Sequence, residues 1–385
     1  MLTQIYNGHI LTPQGWINGG SIIMEDGRIA EIKNSSNLEP KADHQVNAYG
    51  MHVVPGGIDL HCHGGGGCDY MEGTPEAFKT AALAHMKYGT TAMFATLSSA
   101  TLPMMEKACA TCSEVMKEPN SPIMGLHLEG PYFNPRKAGA QMPALIRNPN
   151  VAEYHHIVED YDSVKRWSSA PELPGAIEMG RYLVDKGIVA AIGHTDAELP
   201  DVRAAYEAGY SHATHFYNGM PGFHNVREFK HAGTVEAVYL MEEMTVEMIA
   251  DGIHVPASIL RLVHRIKGVE RTALITDALA MTASDSDKAF DPRVIIEDGV
   301  CKLSDRSALA GSIATMDRLI RTAVQQADIP LNDACRMVSE TPARIMGIYD
   351  RKGSLQRGKD ADIICFDKNQ QLTFVMQCGR VVKAC

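Results

Sequence analysis

The chain has 385 residues, of which 45% are hydrophobic and 21% are charged. This composition is typical of globular proteins and excludes a chain that is disordered throughout. The length exceeds one average domain and suits a large barrel with a small accessory domain. The formal net charge of -10 argues against a general nucleic-acid-binding surface, although a local basic patch can still bind one phosphate.

The sequence carries no strong signal for a membrane or for secretion. No apolar run approaches the roughly 18 residues that a membrane span requires, and the first five residues lack the basic and apolar regions of a signal peptide. The nine cysteines are an odd number, and their one CxxC pair, Cys109 and Cys112, has no second pair to complete a zinc site. We therefore expect a cytoplasmic protein with reduced thiols.

Both ends of the chain have the pattern of short β-strands, and Asp26-Gly27 has the signature of a hairpin turn. The β-rich runs lie at residues 5–11, 21–24, 28–32, 362–366, 373–375 and 381–382. Neither end carries enough strand to cover a core. Together they predict one small β-sandwich domain of residues 1–50 and 350–385, with residues 51–349 inserted between them.

The middle of the chain alternates between apolar β-type runs and helical patterns. The runs lie at residues 53–60, 91–97, 123–128, 167–170, 188–192, 212–217, 245–250 and 272–275, and the clearest helical patterns lie at 75–88, 176–186 and 199–208. Several runs are continuously apolar, which is typical of parallel strands covered on both faces. Eight such units predict an α/β fold, a (β/α)8 TIM-like barrel over residues 51–349. A doubly wound open sheet is the alternative, because the fourth and seventh runs are weak.

A further strand pair is predicted after the eighth run. Residues 291–303 contain Asp298-Gly299, which has the composition of a tight turn between two short strands. We expect this segment to be a hairpin inserted between the eighth barrel strand and its helix.

Polar residues follow five of the apolar runs at the point where each strand ends. Parallel barrel strands bring these ends to one mouth, where barrel enzymes place their reactive groups. The residues are Asp59, His61, His63, His127, Glu129, His194, His212, His215 and Asp277. Because residues two apart in a strand share a face, His61 and His63 can bind the same ion.

Taken singly, these residues have ordinary structural explanations: a strand-end histidine is often a hydrogen-bonded structural residue, and a Thr-Asp pair often caps a helix. Taken together, they predict a metal site, because imidazole and carboxylate ligands suit Zn²⁺, Fe²⁺ or Mn²⁺. Such an ion lowers the pKa of bound water and polarises a carbonyl, and Asp277 is placed to transfer the proton. The residues alone predict a metal-assisted hydrolase of a carbon–nitrogen or carbon–oxygen bond.

Longer strings around these residues resemble the amidohydrolase superfamily, and within it the N-acetylglucosamine-6-phosphate deacetylases. The resemblance extends over essentially the whole chain. Its most family-restricted strings are LHLEGP at residues 126–131 and THFYNGM at 214–220. The other matching strings are PGGID at 55–59, APE at 170–172, GHT at 193–195, DGIHV at 251–255 and TDA at 276–278.

The resemblance implies a metal centre with one or two divalent ions (Zn, Fe or Mn). Glu129, His194 and His215 match the common ligands of the family, and His61 and His63 match the HxH of the members that hold two ions. Glu129 then bridges the two ions. Asp277 matches the general base and acid, close to the ion on the HxH side, and His254 matches a residue that binds substrate and helps to polarise the acetyl carbonyl.

The resemblance also implies how an amino-sugar phosphate is bound. Asn218 and Gly219 match a turn whose backbone amides hold the phosphate. Arg227 matches an arginine that reaches the phosphate from the neighbouring subunit, which implies a homodimer. The remaining substrate contacts are implied for Ala140, Leu309, Ala310 and Gly311.

Three features depart from the family pattern. Gln141 stands where some members have a histidine that contacts phosphate, so this contact is weakened or replaced. The loop from Asn218 to Arg227 is one residue longer than in some relatives, and residues 278–281 replace a Pro-Gly-containing flap. None of these departures removes a metal ligand or Asp277.

The function implied is hydrolysis of the acetamide of N-acetyl-D-glucosamine 6-phosphate, in amino-sugar catabolism and recycling. The products are D-glucosamine 6-phosphate and acetate, formed by attack of metal-bound hydroxide. Three alternatives stay open: the galactosamine epimer as substrate, a cyclic-amide or dipeptide hydrolase, and a non-catalytic sugar-phosphate-binding protein. The complete ligand set with Asp277 argues against the last, because a binding protein does not need a positioned proton shuttle.

Overall fold

The computed structural model describes residues 1–285 and 289–384. Its strands in chain order are β1 (Leu2–Thr12), β2 (Gly15–Glu25), β3 (Arg28–Lys33), β4 (His44–Asn47), β5 (His52–Pro55), β6 (Gly57–Cys62), β7 (Gly64–Gly65), β8 (Cys68–Asp69), β9 (Thr90–Leu97), β10 (Ile123–Glu129), β11 (Val164–Ser169), β12 (Val189–Ile192), β13 (His212–Ala213), β14 (His224–Val226), β15 (Phe229–His231), β16 (Thr245–Ile249), β17 (Thr272–Ile275), β18 (Val294–Glu297), β19 (Val300–Leu303), β20 (Ile363–Phe366), β21 (Leu372–Gln377) and β22 (Arg380–Lys383). The α-helices are α1 (Pro75–Met86), α2 (Leu102–Val115), α3 (Val151–Asp160), α4 (Ala176–Asp185), α5 (Leu199–Glu207), α6 (Thr234–Leu240), α7 (Ala257–Lys267), α8 (Met316–Arg321), α9 (Leu331–Val338) and α10 (Glu340–Ile345).

Eight parallel strands form a nearly closed barrel in the order β6-β9-β10-β11-β12-β13-β16-β17. The first and last strands meet through side-chain and backbone hydrogen bonds. The Thr276 hydroxyl donates to the Asp59 carboxylate over 2.6 Å, and the Asp277 amide donates to the His61 carbonyl over 2.9 Å. The predicted (β/α)8 barrel is confirmed, and the helical patterns at 75–88, 176–186 and 199–208 are α1, α4 and α5.

The first predicted barrel strand, residues 53–60, is in fact two strands that belong to different sheets. β5 pairs with β1 and β20, whereas β6 enters the barrel beside β9. Pro55 lacks an amide hydrogen for continued pairing, and a Cβ atom at Gly56 would lie 2.2 Å from the Thr91 hydroxyl oxygen. The chain therefore crosses between the sheets at a residue without a side chain.

The sixth predicted strand, residues 212–217, is shorter than expected. β13 contains only His212 and Ala213. The chain then turns, because His215 and Tyr217 have φ angles of 28° and 80°, in the left-handed region that a strand does not use. This turn directs the following residues across the barrel mouth.

The strands of the two chain ends form one continuous sheet, in the order β22-β21-β20-β5-β1-β2-β3 with β4 beside β1. Ile10, Ile22, Val53, Ile363 and Phe374 pack into a core that is separate from that of the barrel. This packing supports our proposal that residues 1–50 and 350–385 form a small β-sandwich domain, to which β5 adds a strand from the adjoining residues.

Two other predictions concern the rest of the chain. The hairpin predicted at 291–303 is present as β18 and β19, joined at Asp298-Gly299. Among the described helices, none is long and apolar enough to cross a bilayer.

Candidate active site

A cavity of about 640 Å³ opens at the carboxyl ends of the barrel strands. Its lining includes the candidate ligands His63, Glu129, His194 and His215, and it also includes Asp277 and His254. The side chain of His61 lies just beneath and is fully buried. The strand-end residues predicted from the sequence are therefore brought together at one site.

His61 and His63 project from the end of β6 with their Nε2 atoms 3.2 Å apart. The Nε2 atom of His61 lies 3.6 Å from Glu129 Oε1, and that of His63 lies 3.4 Å from Glu129 Oε2. The other ring nitrogens point away from this centre. Nδ1 of His61 lies 2.7 Å from Glu247, and Nδ1 of His63 lies 3.1 Å from the Ser98 hydroxyl.

His194 and His215 form a second group with the same glutamate. Their Nε2 atoms are 3.1 Å apart and lie 3.1 Å and 3.0 Å from Glu129 Oε1. Nδ1 of His194 lies 2.8 Å from the Lys137 carbonyl, and Nδ1 of His215 lies 3.1 Å from the Asn218 carbonyl. A carbonyl only accepts, so Nδ1 carries a hydrogen in each ring, and Nε2 is the atom that can present a lone pair to a cation at the centre.

This arrangement fits a divalent cation. Two sets of ligand atoms, His61/His63/Glu129 and Glu129/His194/His215, each converge within 4.8 Å and share Glu129. Lone pairs of neighbouring Nε2 atoms face each other, which is unfavourable unless a positive charge lies between them. Imidazole and carboxylate donors suit Zn, Fe or Mn. A third group, Asp59, Cys62 and His85, has similar spacing, but His85 Nε2 lies 2.9 Å from the Gly64 carbonyl, to which it donates.

Asp277 follows β17 and faces the HxH pair. Its Oδ1 atom lies 3.2 Å from His63 Nε2 and 3.4 Å from His61 Nε2. Burial raises the pKa of Asp277, but the charges and hydrogen bonds of His61 and His63 outweigh burial and hold this pKa below its usual value. Likewise, burial opposes ionisation of Glu129, and the surrounding histidines lower its pKa well below the usual range. Both carboxylates are thus ionised at neutral pH and able to bind a cation or accept a proton.

Three of these residues adopt backbone conformations that are unusual for residues other than glycine. His194, His215 and Asp277 have φ angles of 45°, 28° and 50°. Such conformations are costly and persist where the surrounding structure enforces them, often at functional sites. Here they turn each side chain from its strand end towards the shared centre.

His254 lies on the loop after β16 and is oriented by Asp251. Nδ1 of His254 lies 2.8 Å from Asp251 Oδ2, and Asp251 Oδ1 accepts from the amides of Ile253 and His254. Burial raises the pKa of Asp251, but the hydrogen bond and charge of His254 lower it below its usual value. The other nitrogen of the His254 ring is left for the cavity.

The residues implied for substrate binding divide into two groups. Ala140, Asn218, Gly219, Leu309, Ala310 and Gly311 all line the cavity. Arg227 is not among the described lining residues; it lies at the tip of the β14–β15 hairpin, is exposed, and has a φ of 55°. Within a single chain, the structure therefore does not bring Arg227 to the site.

Gln141, the clearest departure from the family pattern, is used inside the site. Its Nε2 donates to Glu129 Oε2 over 2.6 Å, and its Oε1 accepts from the Ser99 amide over 2.8 Å. The side chain is thus occupied in holding Glu129.

Sequence reasoning missed two groups of residues beneath and beside the ligands. Arg166 and Glu247 form an ion pair inside the barrel, and Glu172 binds Asn134, Thr195 and Asp196 next to His194. The sequence signal for the ion pair was weak: Glu247 is the one charged residue of β16, and Arg166 is the second of two adjacent basic residues in β11. His127 and His212, also strand-end histidines, bond to Thr96, Ser168, Thr245 and Glu247 and lie outside the two convergent ligand sets.

The chain was compared with known proteins. The model of the Amidohydrolase family matches residues 52–384. The N-acetylglucosamine-6-phosphate deacetylase of Bacillus subtilis (strain 168) is 30% identical over 382 residues, which cover 97% of this chain and 95% of the relative. The N-acetylgalactosamine-6-phosphate deacetylase of Escherichia coli O157:H7 is 30% identical over 364 residues, 93% of either chain. A mutant N-acetyl-D-glucosamine-6-phosphate deacetylase from Mycobacterium smegmatis, solved in complex with N-acetyl-D-glucosamine-6-phosphate, matches with a TM-score of 0.90 and 30% identity, covering 100% of this chain and 99% of that one. The chain belongs to the amidohydrolase family.

Proposed function

We propose that this protein is a metal-dependent amidohydrolase that converts N-acetyl-D-glucosamine 6-phosphate and water into D-glucosamine 6-phosphate and acetate. The observation that carries the proposal is the convergence of four histidines, Glu129 and Asp277 on one cavity. The similar full-length deacetylases support the choice of substrate.

The chemistry divides between a cation and the protein's own side chains. A divalent cation held by Glu129 and the histidines would acidify a water molecule and polarise the acetyl carbonyl. Asp277 is ionised and accepts the proton from the attacking water, then returns it to the departing amine as the carbon–nitrogen bond breaks. His254, fixed through Nδ1 by Asp251, directs its other nitrogen towards the acetyl oxygen. With a hydrogen on that nitrogen as well, the ring would donate to the acetyl oxygen and stabilise the negative charge that develops there.

The rest of the cavity is proposed to hold the sugar phosphate. Gly219 has a φ of 62°, and a Cβ atom there would lie 3.1 Å from His194 Nδ1. Glycine at this turn lets the backbone amide of Gly219 approach a phosphate closely, whereas the Asn218 amide donates to the His215 carbonyl over 2.8 Å. Nδ2 of Asn218 is buried without a hydrogen-bond partner among the described residues and remains available as a donor.

We further propose that the protein acts as a homodimer in the cytoplasm. Arg227 lies outside its own cavity, so its proposed role requires the cavity of a second chain. The guanidinium suits bidentate binding of the phosphate. Zn, Fe and Mn are all compatible with the ligand set, with one or two ions in each chain.

The direct test is acetate release from N-acetyl-D-glucosamine 6-phosphate by purified protein loaded in turn with Zn²⁺, Fe²⁺ or Mn²⁺. We expect turnover that a chelator abolishes and that one of these ions restores. Asp277→Asn keeps the shape but loses the proton acceptor, so we expect its kcat to fall by roughly 10²- to 10⁴-fold. Turnover that matches Asp277→Asn, or that survives complete removal of metal, would contradict the proposal.

The galactosamine epimer is a second candidate substrate, because the similar Escherichia coli O157:H7 protein carries that name. A comparison of kcat/KM for the two epimeric 6-phosphates decides between them. We expect the higher value for the glucosamine form, and a reversed ratio would assign the other activity.

A further inference from the structure

A charged pair lies inside the barrel, beneath the candidate cation ligands. Arg166 on β11 and Glu247 on β16 both have fully buried side chains. The guanidinium spans the carboxylate, with Nη2 2.8 Å from Oε1 and Nη1 bonded to Oε2. Arg166 is further fixed by the Thr214 hydroxyl at 2.9 Å and the Leu60 carbonyl at 3.3 Å.

Such a pair is an unusual choice for the interior of a barrel. The interior layers of these barrels are generally filled by branched apolar side chains. Removing two charges from water is costly, and replacing a buried ion pair by apolar residues of similar size is often neutral or stabilising. Stability therefore does not explain why this pair is present.

The contacts of Glu247 point to a role in the metal site. Its Oε1 atom accepts from His61 Nδ1 over 2.7 Å and from the backbone amide of His215 over 3.0 Å. The ionised carboxylate can only accept, so Nδ1 of His61 carries a hydrogen and Nε2 is the ring atom that faces His63 and Glu129. The orientation of the His61 ring is thus set from below.

His61 differs in this respect from the other three histidines of the ligand sets. The Nδ1 partners of His194 and His215 are backbone carbonyls, and that of His63 is the Ser98 hydroxyl. Of these four histidines, His61 alone has a carboxylate as the partner of its Nδ1 atom. A carboxylate partner raises the basicity of a ligating imidazole, and loss of such a partner typically weakens metal binding roughly 10- to 100-fold.

We propose that Arg166 and Glu247 are positioning residues for His61, and that they decide whether a cation is held by His61, His63 and Glu129. At the position formed by Glu129, His194 and His215, both Nδ1 atoms bond to backbone carbonyls, and Glu247 contacts this position only through the His215 amide. The side-chain oxygen of a glutamine at position 247 can still accept from that amide, so we expect this position to retain its ion when Glu247 is replaced by glutamine. Arg166 fixes the Glu247 carboxylate, and this carboxylate fixes the ring of His61. His61 then completes the ligand set that it forms with His63 and Glu129. The inference rests on the proposed function only in requiring a divalent cation at the site.

The test is the metal content and cation affinity of Glu247→Gln, with Mn²⁺ as the probe. We expect wild-type protein, loaded with Mn²⁺ and desalted, to hold two ions per chain and to show the electron paramagnetic resonance signal of a coupled pair. Glu247→Gln should hold one ion per chain, give the signal of isolated Mn²⁺, and bind the second ion roughly 10- to 100-fold more weakly.

Two further variants separate this effect from loss of folding. Glu247→Gln leaves Arg166 buried without its counter-charge, which is destabilising, so Arg166→Met combined with Glu247→Gln carries the same expectation without an unpaired charge. Asp333→Asn is the matched control, because Asp333 accepts from His264 Nε2 over 2.9 Å in a histidine–carboxylate pair between α7 and α9. It should hold two ions.

The proposal is overturned if either Glu247 variant, folded by circular dichroism, holds two ions with wild-type affinity. It is also overturned if wild-type protein holds a single ion, because the His61/His63/Glu129 position is then not a second cation site that the pair could control. Acetate release by the wild-type protein is measured in parallel. Absence of turnover in a two-ion protein would contradict the proposed function while leaving the result on metal content intact.

Discussion

The residues of the barrel mouth use one ring nitrogen for the site and the other for support. His254 follows this rule with Asp251 as the support, in the same way that His61 follows it with Glu247. Because the supporting bond fixes the ring and places a hydrogen on Nδ1, residues outside the cavity orient the nitrogen that acts inside it.

A prediction at this scale concerns Asp251→Asn. The asparagine oxygen can still accept from the loop amides, but its NH₂ group opposes Nδ1–H of His254. A hydrogen bond to a charged group contributes about 1.5–3 kcal/mol, so we expect kcat to fall roughly 10- to 100-fold with little change in KM. Steady-state kinetics provide the measurement, and unchanged metal content and melting temperature show that the fold is intact. A kcat equal to that of wild-type protein would remove Asp251 from the mechanism.

The sequence predicts some of these residues and not others, for a physical reason. His61 and His63 are two apart in one strand, so their shared face follows from strand geometry alone. Glu247 is separated from His61 by 186 positions, and nothing in the sequence distinguishes Arg166 from the adjacent Lys165. Their partnership depends on the order of strands around the barrel, which local pattern does not contain.

At the scale of elements, the sequence predicts the positions of helices and strands better than it predicts where the strands end. The helical patterns of α1, α4 and α5 come from periodicity and from glycines just past their ends, and they match the structure closely. The run at 53–60 contains Pro55-Gly56-Gly57, a pattern typical of a chain break, and this is where β5 ends and β6 begins. The prediction of one strand gave more weight to the apolar residues on either side. The turn at His215 falls within residues 212–217, HATHFY, whose composition does not distinguish a strand from a turn.

Helix α4 offers a prediction whose sign differs from that expected from helix propensity. Alanine in place of glycine inside a helix normally stabilises by roughly 1 kcal/mol. At Gly180, however, a Cβ atom would lie 2.1 Å from Cε2 of Tyr210, whose hydroxyl bonds to Ser169 and the Ala176 carbonyl. We expect Gly180→Ala to lower the free energy of unfolding by about 1–3 kcal/mol, as overpacking does.

Urea unfolding measures this effect. Arg181→Ala, at the next position of the same helix and exposed, is the control and should change the free energy of unfolding by less than about 0.5 kcal/mol. A stabilised Gly180→Ala would mean that Tyr210 moves aside without cost.

At the scale of the whole molecule, a buried lysine lies where the chain re-enters the terminal domain after the barrel, and it pairs with carboxylates beside the terminal sheet. Lys352 Nζ lies 2.7 Å from Asp362 and 2.9 Å from Asp360, and all three side chains are buried. Burial lowers the pKa of Lys352, but the nearby carboxylates outweigh it and hold this pKa above its usual value. The lysine is therefore charged, and it forms ion pairs with two carboxylates beside β20.

We predict that Lys352→Met lowers the free energy of unfolding by about 3–5 kcal/mol, the typical cost of removing one partner from a buried pair. Urea unfolding of the wild-type protein and of Lys352→Met is the measurement. Lys79→Met, which breaks the exposed pair with Glu118, should cost less than about 1 kcal/mol. Equal effects for the two lysines would show that the buried cluster contributes no more than a surface pair.

The order in which the chain is synthesised has a consequence for the terminal sheet. β5, at residues 52–55, is synthesised before the eight barrel strands, whereas its neighbour β20, at residues 363–366, is synthesised after them. During translation β5 therefore presents a bare edge of backbone amides and carbonyls, a place where strands of other nascent chains can pair. A chain truncated before residue 363 would retain all eight barrel strands but would lack β20, which pairs with the exposed edge of β5. We therefore expect its first defect to be aggregation rather than loss of catalytic activity.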